Sequence, residues 1–360
     1  MATKAPLLPD IMASDLTKVA IFLGAQPDPD GLASQHMMAE LIRIKNPSVI
    51  IGKFHRGDFS HPQNSTMVQL LGMDSIPYSE FNKDDGWSTI ISCDGPPSVC
   101  PSYRTESGGT KTVIPDFVID HHEQKGPKPS GGADVRPIGS CSSIMWEYAM
   151  ESGYDFGTEE GVKLATALGV GINTDTRFGG EESCSPLDYE ALAYCQINKD
   201  DKLYRDILNY PKPEYFMDLM VDGWKHKVPE GNVLVTGIGT LNPARVWVVP
   251  ALAEEYLKMS GVDTTVVFAI IEGPEGNYIK ISVRSNRSSL NVDTFTRQAF
   301  GSGGGKRGAG AATVSVPPLL QCSEASQRDK FYEAVREMII HKTLQTANDG
   351  ARSKKEEAAE

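Results

Sequence analysis

The 360-residue chain is 40% apolar and 23% charged, ordinary proportions for a soluble globular protein and enough length for two domains. Its formal net charge of −12 excludes wholesale binding to duplex nucleic acid, which depends on neutralising phosphates with basic side chains. No run reaches the ~18–20 uninterrupted apolar residues of a membrane helix, and the opening MATKAPLLPD lacks the apolar centre of a secretory leader. Six cysteines (Cys93, Cys100, Cys141, Cys184, Cys195, Cys322) are scattered without a CxxC pair, which argues against a zinc ribbon or a disulfide framework and leads to the expectation of a reducing, cytoplasmic setting.

In chain order, the run KVAIFL at 18–23 reads as a strand, a helix-like stretch covers 32–45, and SVIIG at 48–52 reads as a second strand. STIISC at 88–93 and TVIPDFVI at 112–119 are further strands; helical patterns follow at 142–153, with Ser142 and Ser143 as N-caps, and at 159–170. Strands alternating with helices predict βαβ units and a doubly wound parallel sheet. A polar, tyrosine-rich and proline-interrupted stretch reads as a connection. Beyond it NVLVTGI (232–238), RVWVV (245–249), TTVVFAII (264–271) and YIKISVR (278–284) read as strands, the last two joined through EGPEGN. The expected organisation is a catalytic domain over 15–200, a linker over 201–230, a smaller mixed α/β domain over 231–345 and a charged tail over 346–360.

Four groups of chemistry-bearing residues fall where apolar segments of the first half end. QPDPDGLASQ places Asp28 and Asp30 beyond the first run, and SCDGPP places Asp94 beyond another. VIDHHEQ supplies Asp120, His121 and His122, and GVGINTDTRFGG supplies Asp175. Each alone also suits a turn or a cap, where aspartate bonds locally to the backbone. Together they converge on one edge of an α/β sheet, because ligands bind outside the carboxyl ends of the strands. Carboxylates brought that close repel one another unless a cation neutralises them. Oxygen-rich ligation with one or two imidazoles suits Mn²⁺ or Mg²⁺, and two ions about 3.5–4 Å apart suit hydrolysis of phosphate esters.

These four motifs, in this order, resemble the DHH phosphoesterase superfamily, and the second half resembles its DHHA1 subfamily; the resemblance spans residues 20–312. It implies an α/β fold, with a parallel-sheet DHH domain linked to a smaller mixed DHHA1 domain and the site in a cleft between them. It implies two Mn²⁺ ions, with Mg²⁺ or Co²⁺ as alternatives. Carried over by position, Asp28 binds one ion, Asp30 the other, and Asp94 bridges both. His121 and Asp175 complete the second set. Asp120 and His122 take orienting or phosphate-facing roles, since metal-bound imidazoles need an orienting partner, so that Asp94, Asp120, His121 and His122 form the catalytic group.

Two positions depart from that family. A histidine usually lies four residues before the first aspartate; here that position is Gly24, and His36, His55 and His61 are the candidates to replace it. The family's GGGH run is Gly303, Gly304, Gly305 and then Lys306 within GSGGGKRGAGAA. Glycines let backbone amides approach an anion, and the lysine keeps a positive charge while losing a planar donor. From Lys280 to Arg307 there are six basic residues against a single acid, Asp293. In this segment Arg284, Ser285, Gly303, Gly304, Gly305, Lys306 and Arg307 are the expected substrate contacts. Arg104 and Arg177 follow the second and fourth motifs closely enough to be candidates too.

The expected activity is a Mn²⁺-dependent phosphodiesterase hydrolysing short oligonucleotides, foremost the linear dinucleotides pGpG and pApA, with phosphatase action on 3′-phosphoadenosine 5′-phosphate compatible with the same site. The partner is then short RNA or a dinucleotide, with no membrane and no long duplex, and the resemblance leaves a homodimer open. A processive exonuclease is disfavoured because no long basic or aromatic-rich extension provides stacking platforms. The alternatives are a cyclic-dinucleotide phosphodiesterase and, from another class, a catalytically weakened nucleotide-binding sensor; an inorganic pyrophosphatase of the related DHHA2 type fits the glycine run less well. The four tryptophans read as core or interface, and the cysteines as small buried hydrophobes.

Overall fold

The computed structural model describes residues 5–357 apart from 25–26, 58, 60, 106–107, 125, 181–182, 274–275, 306–307 and 322–323. The chain divides into two units, Met1–Pro211 and Lys212–Glu360. The first contains α1 (Leu8–Ala13), β1 (Lys18–Leu23), α2 (Pro29–Lys45), β2 (Ile50–His55), α3 (Pro62–Leu71), β3 (Ile76–Pro77) and β4 (Thr89–Cys93). It continues through a small hairpin, β5 (Ser102–Arg104) and β6 (Thr110–Thr112), then β7 (Phe117–Asp120), β8 (Gly132–Val135), α4 (Cys141–Ser152), α5 (Glu159–Asp175), α6 (Pro186–Asn198) and α7 (Asp201–Leu208).

Its main sheet runs β3-β2-β1-β4-β7-β8, with every pair parallel. The order reverses between β1 and β4, the point at which connections leave for opposite sides and open a crevice at the carboxyl ends. Five of the six β1 residues are buried, as a parallel strand covered on both faces requires. The run read as one strand over 112–119 is broken: β7 begins only at Phe117. Pro115 has no N–H to give a ladder, and the Asp116 carboxylate instead accepts the Ile90 N–H at 2.8 Å. Helix α4 is capped by Ser140, whose hydroxyl accepts from Ser143 N, and not by Ser142 or Ser143, which lie inside it.

The second unit contains α8 (Glu214–Lys225), β9 (Val228–Glu230), β10 (Val233–Leu241), α9 (Val248–Leu257), β11 (Thr264–Gly273), β12 (Gly276–Ser285), α10 (Val292–Phe300), β13 (Gly304–Gly305), β14 (Ala309–Ser315) and α11 (Ala325–Glu357). Its sheet, β13-β14-β12-β11-β10-β9, is mixed, with only β10 and β11 parallel. The stretch RVWVV is not a strand: it enters α9, because Val249, Leu252, Ala253 and Tyr256 continue its apolar pattern at helical spacing and are all buried. Trp247 stacks on Phe216, ring centroids 5.5 Å apart, in that core. Residues 201–230 fold as α7, α8 and β9, with Tyr204, Ile207 and Phe216 buried, and α11 runs on through the stretch read as a tail. Among the described residues no helix is long and apolar enough to cross a membrane.

Candidate metal centre

The first unit brings its motifs to the switch point of the sheet. After β1, Asp28 caps α2 by accepting Gly31 N at 2.9 Å, with Pro29 in the first turn. One residue on, Asp30 is clamped by the start of α4: its Oδ2 accepts Cys141 N at 2.8 Å and its Oδ1 accepts Ser142 N at 2.7 Å. After β4, Asp94 takes a left-handed backbone (φ 56°), an uncommon strain for a residue with a side chain and one that clusters at functional sites. Asp175 ends α5; it comes from a helix terminus and not from the end of a strand.

At the end of β7 the fully buried Asp120 organises the turn. Its Oδ1 accepts from His121 N (2.8 Å), His122 N (3.1 Å) and His122 Nδ1 (2.9 Å), and its Oδ2 accepts from Gln124 Nε2 (3.1 Å). The His121 ring donates from Nδ1 to the Ile138 carbonyl at 3.0 Å. A carbonyl can only accept, so the proton sits on Nδ1 and the Nε2 lone pair is free to point elsewhere. It points at three carboxylates: Asp175 Oδ2 at 3.2 Å, Asp94 Oδ1 at 3.4 Å and Asp30 Oδ2 at 3.7 Å. His122 Nδ1 lies 3.7 Å from the same Asp94 oxygen.

Both His121 Nε2 and Asp94 Oδ1 are buried without a hydrogen-bond partner. A lone pair facing carboxylate oxygens is repulsive as it stands. Burial, with Asp175 and Asp30 next, pushes Asp28 up to about 7. Burial and Asp175 raise Asp30, and burial with Asp30 and Asp28 raises Asp94 well above the carboxylate range. His122 moves the other way from burial, raised on balance by its bond to Asp120 and by Asp94. The groups Asp30–His121–Asp175 and Asp94–His121–His122 each bring ligand atoms within 4.8 Å of one another. A divalent cation offsets this repulsion and burial of like charge, and carboxylates with one or two imidazoles are the donor chemistry of Mn²⁺ or Mg²⁺.

Asp28 belongs to neither of these groups, although the Asp30 and Asp175 charges act on it. Gly24 has no room for a side chain: an added Cβ would sit 1.8 Å from the Asp94 carbonyl oxygen. His36 bonds through Nε2 to the Asp74 carbonyl at 3.0 Å with Nδ1 3.4 Å from Lys53 Nζ, and His61 uses Nδ1 to cap α3. His55 packs on Phe59, ring centroids 4.4 Å apart. In the second unit, Arg284 donates from Nε to Glu254 at 3.0 Å, and the buried Ser285 hydroxyl lies 2.8 Å from that of Thr264. Gly303 and Gly305 are required by the sheet itself, since a Cβ at either would meet a β14 carbonyl oxygen at 2.3 or 2.1 Å, and Gly305 N is already donated to Asp293 at 2.8 Å. Gly304 pairs with Ala311. Lys306 and Arg307 lie outside the described residues.

Sequence reasoning missed Asp188, the buried carboxylate that fixes the start of α4. It accepts from Gly139 N at 2.9 Å and from the Ser143 hydroxyl at 2.7 Å while closing the capping box of α6 with Ser185. The signal was available in Ser185-x-x-Asp188 before an apolar run. Of the cysteines, Cys93, Cys100, Cys141 and Cys195 are buried, and burial pushes the Cys100 and Cys195 thiols up to about 12. Such thiols are inert as nucleophiles.

No protein-family model matches the chain. An uncharacterized protein of Methanocaldococcus jannaschii is 30% identical over 346 residues, covering 95% of this chain and 64% of the relative, so the chain spans less than two thirds of that protein's length. Among solved structures, an exopolyphosphatase-related protein from Bacteroides fragilis superposes with a TM-score of 0.62 at 15% identity, covering 95% of this chain and 97% of the other. RecJ from Thermus thermophilus in complex with Mn²⁺ gives 0.48 at 13% identity, over 94% of this chain and 54% of RecJ.

Proposed function

We propose, for a chain that resembles the DHH/DHHA1 phosphoesterases in motif order and in fold, a metal-dependent phosphoesterase activity on short oligonucleotides, foremost linear dinucleotides such as pGpG and pApA. The observation that carries this reading is the buried, unpartnered His121 Nε2 facing Asp30, Asp94 and Asp175. Those four residues would hold the metal, with Asp28 close enough to share its charge. Divalent ions bound there would supply Lewis-acid activation of the phosphate and lower the pKa of water. The Ile138 carbonyl fixes the His121 tautomer and Asp120 fixes His122. The His122 side chain is 41% exposed. With its Nδ1–H held on Asp120, its Nε2 donates to a phosphate oxygen in the imidazolium form, which the Asp120 bond and the Asp94 charge favour.

The Gly24 backbone contact favours one second reading, a nucleotide sensor with weakened turnover, because no imidazole can be added to the centre from that position. One experiment separates the two. Mononucleotide release is measured from pGpG, pApA, longer oligomers, cyclic dinucleotides and 3′-phosphoadenosine 5′-phosphate, with Mn²⁺ and with chelator, beside Asp94→Ala. Calorimetric Mn²⁺ titration of the same proteins and of His121→Ala accompanies it. Metal-dependent release of mononucleotides from dinucleotides, lost in the variant, is the expected result. Nucleotide binding without turnover of any substrate would establish the sensor, and unchanged Mn²⁺ affinity in His121→Ala would sink the metal centre itself.

A further inference from the structure

Four cations of the basic segment lie among the described residues of the second unit, and three have acidic partners. Arg284 pairs with Glu254 at 3.0 Å, Arg287 with Asp263 at 3.8 Å and Arg297 with Asp293 at 3.1 Å. Lys280 is half-buried and has neither hydrogen bond nor ion pair among the described residues. An ammonium withdrawn from water without an anion is unfavourable, and here burial, joined by the charge of Arg284, pulls the Lys280 pKa below the usual lysine range.

Strand geometry defines what lies around it. Alternation on β12 puts Lys280, Ser282 and Arg284 on one face, with Tyr278 leading into the α8–α9 core, while Ile279, Ile281 and Val283 fill the opposite core under α10 and α11. The register sets Lys280 opposite Thr313 of β14, Ser282 opposite Ala311 and Arg284 opposite Ala309. Thr313 is exposed and both alanines are half-buried. Beside the lysine the sheet therefore presents a floor of small side chains. Arg284 spends Nε on Glu254 and Nη1 on the Ser282 hydroxyl and the Val283 carbonyl. Among the described residues nothing takes any of the three Lys280 donors.

We infer that Lys280 is the phosphate-binding residue of the second unit, seating the phosphate of a nucleotide on the small-residue floor between β12 and β14, with Arg284 adding charge beside it. This assignment rests on the nucleotide-directed reading above. It adds to the substrate contacts expected from the sequence, Arg284 among them, the cation that has no acidic partner among the described residues. The charge of a phosphate there offsets both effects that now disfavour the ammonium, its burial and its neighbouring guanidinium.

The test is calorimetric binding of AMP and of adenosine to the full chain in chelator, so that the metal centre contributes no affinity for phosphate. K280Q is expected to weaken AMP binding at least about tenfold, the loss of one charge-assisted contact, to leave adenosine binding unchanged, and to be rescued by K280R. AMP binding by K280Q equal to that of the wild type would overturn the assignment, as would a wild type that binds AMP no more tightly than adenosine. Turnover of pApA with Mn²⁺ is scored separately. Weakened AMP binding in a chain without turnover sustains the subsite and sinks the phosphoesterase reading. Turnover together with unchanged AMP binding in K280Q does the reverse. Thermal melting of K280Q, expected to match or exceed the wild type because an unpaired charge is removed, shows that the variant is folded.

Discussion

Gly24→Ala puts the close approach of two strand ends to the test. An alanine Cβ would lie 1.8 Å from the Asp94 oxygen and 2.8 Å from its carbonyl carbon, and the reciprocal Cβ at Gly95 would lie 2.5 Å from the Gly24 Cα. The clash cannot relax through a side chain, because both partners are backbone. Both are also tied: Gly24 N donates to Cys93 O at 3.2 Å and Asp94 N donates to Ile119 O at 2.9 Å. Relief requires a backbone shift of more than about 1 Å. Overpacking in a tight interior costs about 1–3 kcal/mol and a broken backbone bond about 1 kcal/mol more, so a loss of about 2–4 kcal/mol is expected. For a unit of this size, Met1–Pro211, that corresponds to roughly 4–16 °C in Tm. Circular-dichroism melting in chelator measures it, with Gly72→Ala as control: that glycine has φ 67° and nothing within 4 Å of an added Cβ, so only backbone strain of about 1 kcal/mol applies. Gly24→His carries the same Cβ and is expected to unfold as readily without gaining Mn²⁺ affinity. An alanine variant melting within about 2 °C of the wild type, or a histidine variant that binds Mn²⁺ more tightly, would refute the reasoning.

His36 is pulled down to about 3 by burial and by the Lys53 charge. A histidine held neutral in the fold contributes stability that is whole above its unfolded pKa of ~6.5 and is lost as pH falls toward the folded value, by up to about 1.4 kcal/mol per pH unit. Denaturant titrations from pH 7 to pH 4 should therefore show a steeper loss in the wild type than in His36→Gln, and equal slopes would contradict the assignment. Asp188→Ala strips the acceptor from Gly139 N and the Ser143 and Ser185 hydroxyls; a loss of about 3 kcal/mol or more is expected, with Mn²⁺ affinity down about tenfold or more because the clamp on Asp30 loosens. A destabilised variant with unchanged Mn²⁺ affinity would show that the two are uncoupled. Mn²⁺ at one hundred times its Kd should stabilise the wild type by about 2.7 kcal/mol, and Asp94→Asn should abolish most of that gain. Because ions compete with protons for the raised carboxylates, the gain should grow between about pH 5 and about pH 8; a gain independent of pH would place the ion elsewhere.

The first sheet was legible because buried parallel strands are written as short apolar runs and the residues that end them must be polar. KVAIFL and STIISC gave β1 and β4 within a residue, and Asp28, Asp94 and Asp120 stood out against them. Legibility failed where an apolar run lacks a unique period. RVWVV alternates like a strand until Leu252, Ala253 and Tyr256 reveal the helix to which it leads. Asp175 was placed correctly along the chain but given the wrong support, since α5 is apolar almost all round and looks like a core strand near its end. In the second unit the sequence showed an excess of positive charge but could not show how much of it folding consumes. Glu254 lies 30 residues before Arg284, and Gly305 gives its amide to Asp293 twelve residues earlier.

Support for Asp30 shows what a strand-end motif omits. Both of its oxygens accept amides from the first turn of α4, where the N-terminal end of the helix favours a negative charge. That turn is set by Ser140 and Ser143, and both hydroxyls bond to Asp188 at the start of α6. The orientation of one carboxylate in the centre thus depends on a helix start more than a hundred residues away and on a second helix start beyond it. A carboxylate oxygen keeps a further lone pair after accepting an amide, so the clamp leaves Asp30 able to bind a cation while preventing it from rotating toward solvent. Fixing the ligands before the ion arrives puts the cost of ordering them into the folding of the unit. The raised carboxylates of the ion-free centre express that cost, which is why the stability of this unit should depend on metal and on pH together.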